Sequence, residues 1–386
     1  MRRIFVILMA LLLCGVGCVH SKSLDEYAYV LNIGVEPGTT MPYLVTFLVS
    51  VPGGGTEEIE VTNAVLSAEA RTFSEATETL NATYPGRLSF SRASLLVLGE
   101  DLVREGAQTA FLDFSFGKPD LWQNMRVAVA KDPIRDVFEG VISDADPSLR
   151  KIKTAVGELS RRSGLTADTG YGAYLEAVQD DRFDAMLAYA GVNEWALSPD
   201  LLGDGTYPYT GGSLLVESTL KTSTAGSAVF DGDRMVGVLN GQHTMSVLMV
   251  TDAFRRGERI CTLPDGQPLV VTLYRVRRPK IRLSDGTAQV RLYLEADVSK
   301  PQTVPMDSET FKAFVKDGIE TELAAVCRAL QSVGSDAMGF GRFAAKGFRS
   351  AAQWEAYDWK TAYRALKVTF SVSLGLAHDP RGTGLE

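Results

Sequence analysis

The first eighteen residues constrain this chain most. Arg2 and Arg3 precede an unbroken apolar run from Ile4 to Leu13, and the small residues Gly15 and Gly17 follow before Cys18. A basic start, a short apolar stretch and small residues behind it are the layout of an export signal. A helix that stays in a bilayer needs about 20 apolar residues, so this run is too short to serve as a permanent anchor by itself. No later segment approaches that length. The expected product is an exported chain whose remainder folds in water.

The cysteines sharpen this reading. Lipoprotein signals end in a small residue directly before a cysteine, whose thiol takes up a diacylglycerol before cleavage. Gly17-Cys18 suits that chemistry, whereas Cys14 follows the bulky Leu13, and Gly15 stands where Leu is usual. The expectation is a lipoprotein signal peptide over residues 1–17 and lipid attachment at Cys18, with plain secretion and an uncleaved anchor as the alternatives. Two acyl chains, at about 0.8 kcal/mol per buried CH₂, hold a protein on a membrane where one does so marginally. Loss of residues 1–17 leaves 37 basic against 47 acidic residues, a net charge of −10. An acidic chain with 45% hydrophobic residues has an ordinary globular composition, which argues against nucleic acid as a partner. Beyond Cys18 only Cys261 and Cys327 remain in the mature chain. One possible bridge is no disulfide scaffold, and two free thiols are the simpler reading.

Hydrophobic periodicity alternates between strand and helix along the chain. Tyr43 to Val51 reads as a strand stopped by Pro52 and Gly53 to Gly55, and Thr72-Phe-Ser-Glu75 as a capping box opening a helix through Asn81. Ser94–Leu98 and Met125–Ala130 read as short strands around a helix from Leu102 to Phe116. Residues 134–179 are mostly helical with breaks at Gly164 and Gly170, and the Gly-, Pro- and Asp-rich stretch Ser198–Gly212 reads as a linker. Further on, Asp231-Gly232 and Asp285-Gly286 each separate two strand patterns, the signature of hairpins. The longest helix, about Asp307 to Gln331, carries a stripe of Phe311, Phe314, Ile319, Leu323, Val326 and Leu330. A last strand alternates Leu366, Val368, Phe370, Val372 and Leu374. The fold class is therefore α+β and multi-domain, with mixed sheets, packed helices and a C-terminal antiparallel sheet against one long amphipathic helix. The expected units are 18–133, an N-terminal α+β domain; 134–212, a mostly helical domain and linker; and 213–386, a C-terminal α+β domain.

Catalytic chemistry finds little support. The chain has three histidines, His20, His243 and His378, and no nucleophile-elbow or cysteine signature accompanies them. His243 reads as a solvated residue in the turn Gly241-Gln-His-Thr244. No zinc ligand set forms, and no metal, cofactor or catalytic residue is expected. Gly339-Phe-Gly-Arg-Phe-Ala344 matches the dinucleotide fingerprint formally, but a long helix precedes it where a strand is required. Pro52-Gly-Gly-Gly-Thr56 lacks the Lys-Ser/Thr of a phosphate loop, and Asp200…Asp204-Gly205 lacks the acids of a calcium loop. Trp354, Tyr357, Trp359 and Tyr363, after Phe340 and Phe343, read as packing under the last strand.

One ordered set of motifs goes further than the physics of any single one. It comprises Cys18, Asp25-Glu-Tyr-Ala-Tyr-Val-Leu-Asn-Ile-Gly-Val35, Gly86-Arg-Leu-Ser-Phe90, and Leu96-Val-Leu-Gly-Glu100 with Arg104-Glu-Gly106. Gly226-Ser-Ala-Val-Phe230, Met235-Val-Gly-Val-Leu239, Gln331, Asp336-Ala-Met-Gly-Phe-Gly341, Trp354 and Asp358-Trp359 complete it. In this order and spacing the chain resembles the Ger(x)C family, lipoprotein C subunits of the GerA-type nutrient germinant receptors of spore formers. It departs from the family at Val19, where Trp is frequent, and at Glu36, where Asp is common. The resemblance implies a three-domain α+β fold and a non-enzymatic receptor subunit. It places that subunit at the outer face of the spore inner membrane, beside the integral-membrane A and B subunits. It also transfers the lipid to Cys18 and marks Gly339, Phe340, Gly341 and Trp359 as motif residues with a structural role. A solute-binding lipoprotein handing a small ligand to a transporter is the alternative, and it would show two similar lobes around a cleft.

Overall fold

A computed structural model describes residues 27–52, 61–84, 87–112, 125–143, 151–203, 209–216, 221–298 and 306–377. The chain opens as an antiparallel meander of β1 (Tyr27–Pro37), β2 (Tyr43–Pro52) and β3 (Val61–Ala70). Helix α1 (Phe73–Thr83) follows, with the Thr72 hydroxyl accepting from the Glu75 backbone N–H as the capping box requires. The Glu75 carboxylate turns back to the Arg71 backbone N–H, one residue further out than the motif predicts. Strands β4 (Arg87–Ser89) and β5 (Leu95–Gly99) both lie parallel to β1.

The single helix expected from Leu102 to Phe116 is instead two short ones over its described part, α2 (Glu100–Glu105) and α3 (Gln108–Leu112). Gly106 takes the left-handed conformation (φ 73°) and its N–H returns to the α2 carbonyls, which terminates the helix. Gly117 and Pro119 lie outside the described residues. Beyond them come β6 (Arg126–Ala130), α4 (Ile134–Ser143), α5 (Lys151–Ser163), α6 (Tyr171–Gln179) and β7 (Met186–Val192). Gly164 follows α5 with φ 66° and Gly170 caps α6, so both expected breaks fall at helix ends. Hairpin β8 (Thr222–Asp231) and β9 (Arg234–Leu239) turns at Gly232-Asp233.

All nine strands form one sheet in the order β3-β2-β1-β5-β6-β7-β8-β9, with β4 beside β1. Its middle strands, β1, β5, β6 and β7, are mutually parallel because helices carry the chain back between them. Being covered on both faces, they are apolar on both. Leu96 and Leu98 face the α1/α6 side while Leu95 and Val97 face α4 and α5. The sheet runs through both of the residue boundaries expected at 133/134 and 212/213, since β7 and then β8–β9 extend what β1 begins. The stretch read as a linker lies along this sheet over its described part: Leu201 N–H donates to Val238 and Gly211 N–H to Ala225, each at 2.8 Å.

Helix α7 (Gly241–Val250) contacts strands of both sheets, and all ten of its residues are buried. A helix apolar or buried on every side is a core helix. The second sheet has the order β10 (Arg256–Thr262), β11 (Pro268–Ser284), β12 (Thr287–Val298), β13 (Lys367–Leu376). The β11–β12 hairpin turns on Asp285-Gly286 with φ of 48° and 70°, both left-handed as a two-residue turn demands. The antiparallel pattern expected here holds for β10, β11 and β12, but β13 joins β12 in parallel. The reason is the long helix α8 (Ser308–Val333), which carries the chain the length of the sheet before it re-enters. On α8 the buried face is Phe311, Val315, Ile319, Leu323, Val326, Cys327 and Leu330, with Phe314 only partly covered. Cys261 and Cys327 are free thiols, and burial pushes Cys327 up to about 12.

Leu323 is fully buried between α8 and the second sheet. Leu323→Ala should lower the unfolding free energy by about 2–5 kcal/mol in urea melts, the range for a core cavity that cannot collapse.

Candidate functional site

The most concentrated polar chemistry lies where the end of α8 meets the large sheet. Gly334 closes α8 in the left-handed conformation (φ 81°), its N–H bonding back to the Leu330 and Gln331 carbonyls. A side chain at Gly334 would meet Arg364 and Asp231 at 2.6 and 2.8 Å, so the close approach also requires glycine. Two residues on, Asp336 is wholly buried (0% exposed). Its carboxylate accepts from the Phe340 N–H (2.9 Å), the Gly341 N–H (2.7 Å) and the Trp359 indole N–H (3.1 Å). Gly339 supplies the left-handed turn (φ 73°) that folds the chain back onto this carboxylate. A Cβ at Gly341 would stand 2.4 Å from the Arg182 carbonyl and 2.6 Å from the Trp359 indole nitrogen. The four motif residues Gly339, Phe340, Gly341 and Trp359 thus meet around one acid.

That acid is tied to a second one across the two sheets. The Asp336 N–H donates to Asp184 Oδ2 at 2.6 Å, and the Asp184 N–H returns to the Asp336 carbonyl at 3.2 Å. Asp184 stands just before β7 and also accepts from the Gly232 N–H in the β8–β9 turn (2.7 Å). Lys360, in helix α9 (Trp359–Ala365), completes the cluster with Nζ 2.8 Å from Asp184 and 2.5 Å from Asp231. Burial works against the Lys360 charge, but Asp184 and Asp231 more than offset it and hold its pKa above the ordinary value. Burial pushes the Asp336 carboxyl up to about 7, aided by the charge on Asp184 and opposed by its N–H donors.

Around the acids runs a chain of rings. Trp359 lies 5.9 Å from both Trp354 and Tyr363, and Phe348 and Tyr357 continue the contact outward. The indole N–H groups are both satisfied, Trp354 by Asp181 at 2.6 Å. Tyr363 donates to the Ser335 carbonyl at 2.7 Å, and Gln331 donates to the Tyr363 and Leu366 carbonyls at 2.8 Å. Trp354, Trp359 and Tyr363 belong to the same buried core as Leu366 and Val372 of the last strand region.

His243 differs from the solvated turn expected of it. Asn240 caps α7 by accepting from the His243 N–H, which puts His243 in the first turn of a core helix at 4% exposure. Its Nδ1 pairs with Asp200 Oδ2, and Asp200 also accepts from the Asn240 and Leu202 N–H groups. The pair has no solvent-facing side from which a substrate could reach it. A neighbouring buried cluster joins Arg259 and Glu322 at 2.9 Å, with Gln242 and Ser246 of α7 also donating to Glu322. Among the described residues no group of three His, Cys, Asp or Glu is placed to hold a metal, and no helix is long and apolar enough to cross a membrane. Cys18, His20, Asp204, Gly205 and His378 lie outside the described residues, as does the glycine run after Pro52.

The sequence motif contains Asp336, yet its role as acceptor had only one local signal, an acid placed four and five residues before Phe340 and Gly341. Asp184 and Lys360 had none, because their partners lie 152 and 176 positions away in the chain.

An α+β protein with one large mixed sheet, a smaller sheet beside it and a buried acid–lysine junction is the class this geometry defines. Comparison with known families makes that specific. The family model described as "Spore germination protein N-terminal domain" matches residues 20–192, and "Spore germination B3/ GerAC like, C-terminal" matches residues 225–378. The chain belongs to the Ger(x)C family, whose members are germinant-receptor subunits acting in spore germination. The solved structure described as "Crystal Structure of the GerBC protein" matches with a TM-score of 0.51 at 12% identity, over 90% of this chain and 97% of that one. At that identity the likeness speaks for the fold. No curated protein matches the chain.

Two outcomes test the junction. The folded-state pKa of Asp336 lies above its unfolded 3.8, so its favourable contribution is complete below about pH 4 and is lost as pH rises toward 7, by up to about 4 kcal/mol. Asp336→Asn cannot titrate, so its stability relative to the wild type should improve steadily from pH 4 to 7 in urea melts; parallel pH profiles would disprove the assignment. Gly341→Ala should destabilise by about 1–3 kcal/mol or more, because the methyl meets backbone that cannot move aside.

Proposed function

We propose that the chain is a lipid-anchored, non-enzymatic subunit of a nutrient germinant receptor. Cys18 carries the lipid and holds the folded part at the outer face of the spore inner membrane. There it assembles with the integral-membrane A and B subunits through its folded surface. The observation that carries this reading is the pair of family matches spanning residues 20–192 and 225–378, which begin directly behind the Gly17-Cys18 site. The buried junction supports a scaffold role for Gly339, Phe340, Gly341 and Trp359, since each of them fixes backbone or packing and none opens onto solvent as a reacting group would. The division into an N-terminal unit, a middle unit and a C-terminal unit is retained as a description of sequence segments within one frame. A solute-binding lipoprotein is less well supported, because its hinge-bending lobes would be alike, whereas a nine-stranded and a four-stranded sheet are not.

Metabolic labelling with radioactive palmitate, followed by membrane fractionation and co-purification with the two membrane subunits, tests the proposal. Wild-type chain should label, sediment with membranes and bring down both partners, while Cys18→Ala should lose the label and shift to the soluble fraction. Undiminished labelling and sedimentation of Cys18→Ala would remove the anchor from the proposal, and a germination defect absent from a strain lacking the chain would remove the receptor role.

A further inference from the structure

The outer face of the four-stranded sheet carries a charge opposite to that of the whole chain, whose net charge is −8. The register sets Lys280 beside Arg291 and Arg282 beside Gln289, while β13 adds Ser371 next to Arg291 and Thr369 next to Gln289. This face is opposite the buried Val290, Leu292 and Leu294. Arg277 and Lys280 stand over the Tyr293 ring at 5.9 and 5.8 Å, and Lys367 begins β13 on the same face. The five cations are exposed, and none has an ion-pair partner among the described residues. By contrast the nearby Arg275 and Arg278 are both taken up by Asp252. Lys280, Arg282 and Arg291, with Gln289, Thr369 and Ser371, enclose a shallow depression of about 240 Å³.

Edge protection accounts for part of this pattern. Strand β10 pairs with β11 only as far as Tyr274, so the rest of β11 is an open edge, and Pro279 and its charged neighbours discourage strand addition. Arg291 is on the inner strand β12, however, where edge protection does not require it, while Lys367 begins β13, the other edge of the sheet. The surroundings point to the occupant. Protein interfaces centre on apolar and aromatic residues, whereas here cations, amide and hydroxyl groups make up most of the lining, with Val290 and Phe370 its apolar part. The half of the face toward the β11–β12 turn is basic and rich in hydrogen-bond donors, with Glu295 and Asp297 farther along β12, and that basic half complements a layer of phosphates.

We propose that this face docks on the anionic headgroups of the membrane that bears the anchor. The proposal rests on the anchored reading above. Fully extended, the nine residue steps from Cys18 to Tyr27 reach at most about 32 Å, and charge attraction through physiological salt acts over only about 8 Å. A lipid on Cys18 confines the folded part to the neighbourhood of the bilayer, and two membrane contacts together hold more firmly than either.

The test uses full-length chain carrying Cys18→Ala, so it does not depend on lipidation, which palmitate labelling of the wild type reports separately. Binding is titrated with phosphatidylcholine vesicles and with vesicles containing phosphatidylglycerol, at low and high salt. Any contribution from the signal, Arg2 and Arg3 included, is common to the parent and the triply substituted chain and cancels in the comparison between them. Tighter binding to the anionic vesicles, abolished by salt, is the expected result. The triple substitution Lys280→Gln, Arg282→Gln, Arg291→Gln should weaken it on the order of a hundredfold, at roughly fivefold per charge. These exposed positions should leave the thermal melt unchanged; if the triple variant does not fold, Lys280→Glu alone should weaken binding roughly 25-fold. Equal binding to both vesicles, or unchanged binding by the substituted chain, overturns the proposal. Unchanged vesicle binding with lost co-purification of the membrane subunits overturns it in favour of a protein partner.

Discussion

The structure depends on a short-range network of two aspartates and a lysine between its sheets. Asp336 reaches from the end of α8, Asp184 from the start of β7, and Lys360 from α9, and Asp184 joins them by accepting from both the Asp336 N–H and the Lys360 ammonium. A buried carboxylate is tolerable because N–H groups of Phe340, Gly341 and Trp359 converge on it. Removing one partner of such a cluster leaves an uncompensated group in the interior and is costly. The surrounding glycines serve the same end. They let backbone N–H groups approach where a Cβ would block them.

A second set of buried polar contacts braces the frame from the other side. Asp200 and His243 pin the stretch before β8 to helix α7, while Glu322 binds α7 and β10 to α8 through Gln242, Ser246 and Arg259. With α7 touching strands of both sheets, the small sheet has given its apolar face to α7 and α8. Its other face is therefore left to solvent, and that is the face on which the basic side chains stand. Packing on one side of a sheet thus determines what the other side is available to do.

Much of the fold was legible in the sequence because its elements are local. The capping box at Thr72, the Asp285-Gly286 turn, the position of the β8–β9 hairpin to within one residue, the α8 stripe and the alternation of β12 and β13 each depend on residues within a few positions of one another. The errors were of other kinds. Gly106 splits a helix whose hydrophobic pattern continues through it, and a pattern of apolar residues does not report a left-handed backbone. β13 adds in parallel because of a crossover, which strand alternation does not encode. His243 lies in a core helix because Asp200, 43 positions away, gives its ring a buried partner. The Ser198–Gly212 stretch has the composition of a linker, but its backbone bonds to β8 and β9, and composition does not say where a loop finds its hydrogen bonds.

By itself the sequence determined the α+β class, the order of helices and strands, the export signal ending at Cys18 as an expectation, and a family resemblance carried by ordered motifs. These follow from period, capping and turn chemistry, all of which act along the chain. Only the tertiary structure decided that strands from Tyr27 to Leu239 make one sheet, that four motif residues share one buried carboxylate, and that scattered lysines and arginines gather on one face. Each of those depends on register and long-range contact, where the deciding partner stands tens to hundreds of positions away and the local sequence gives no sign of it.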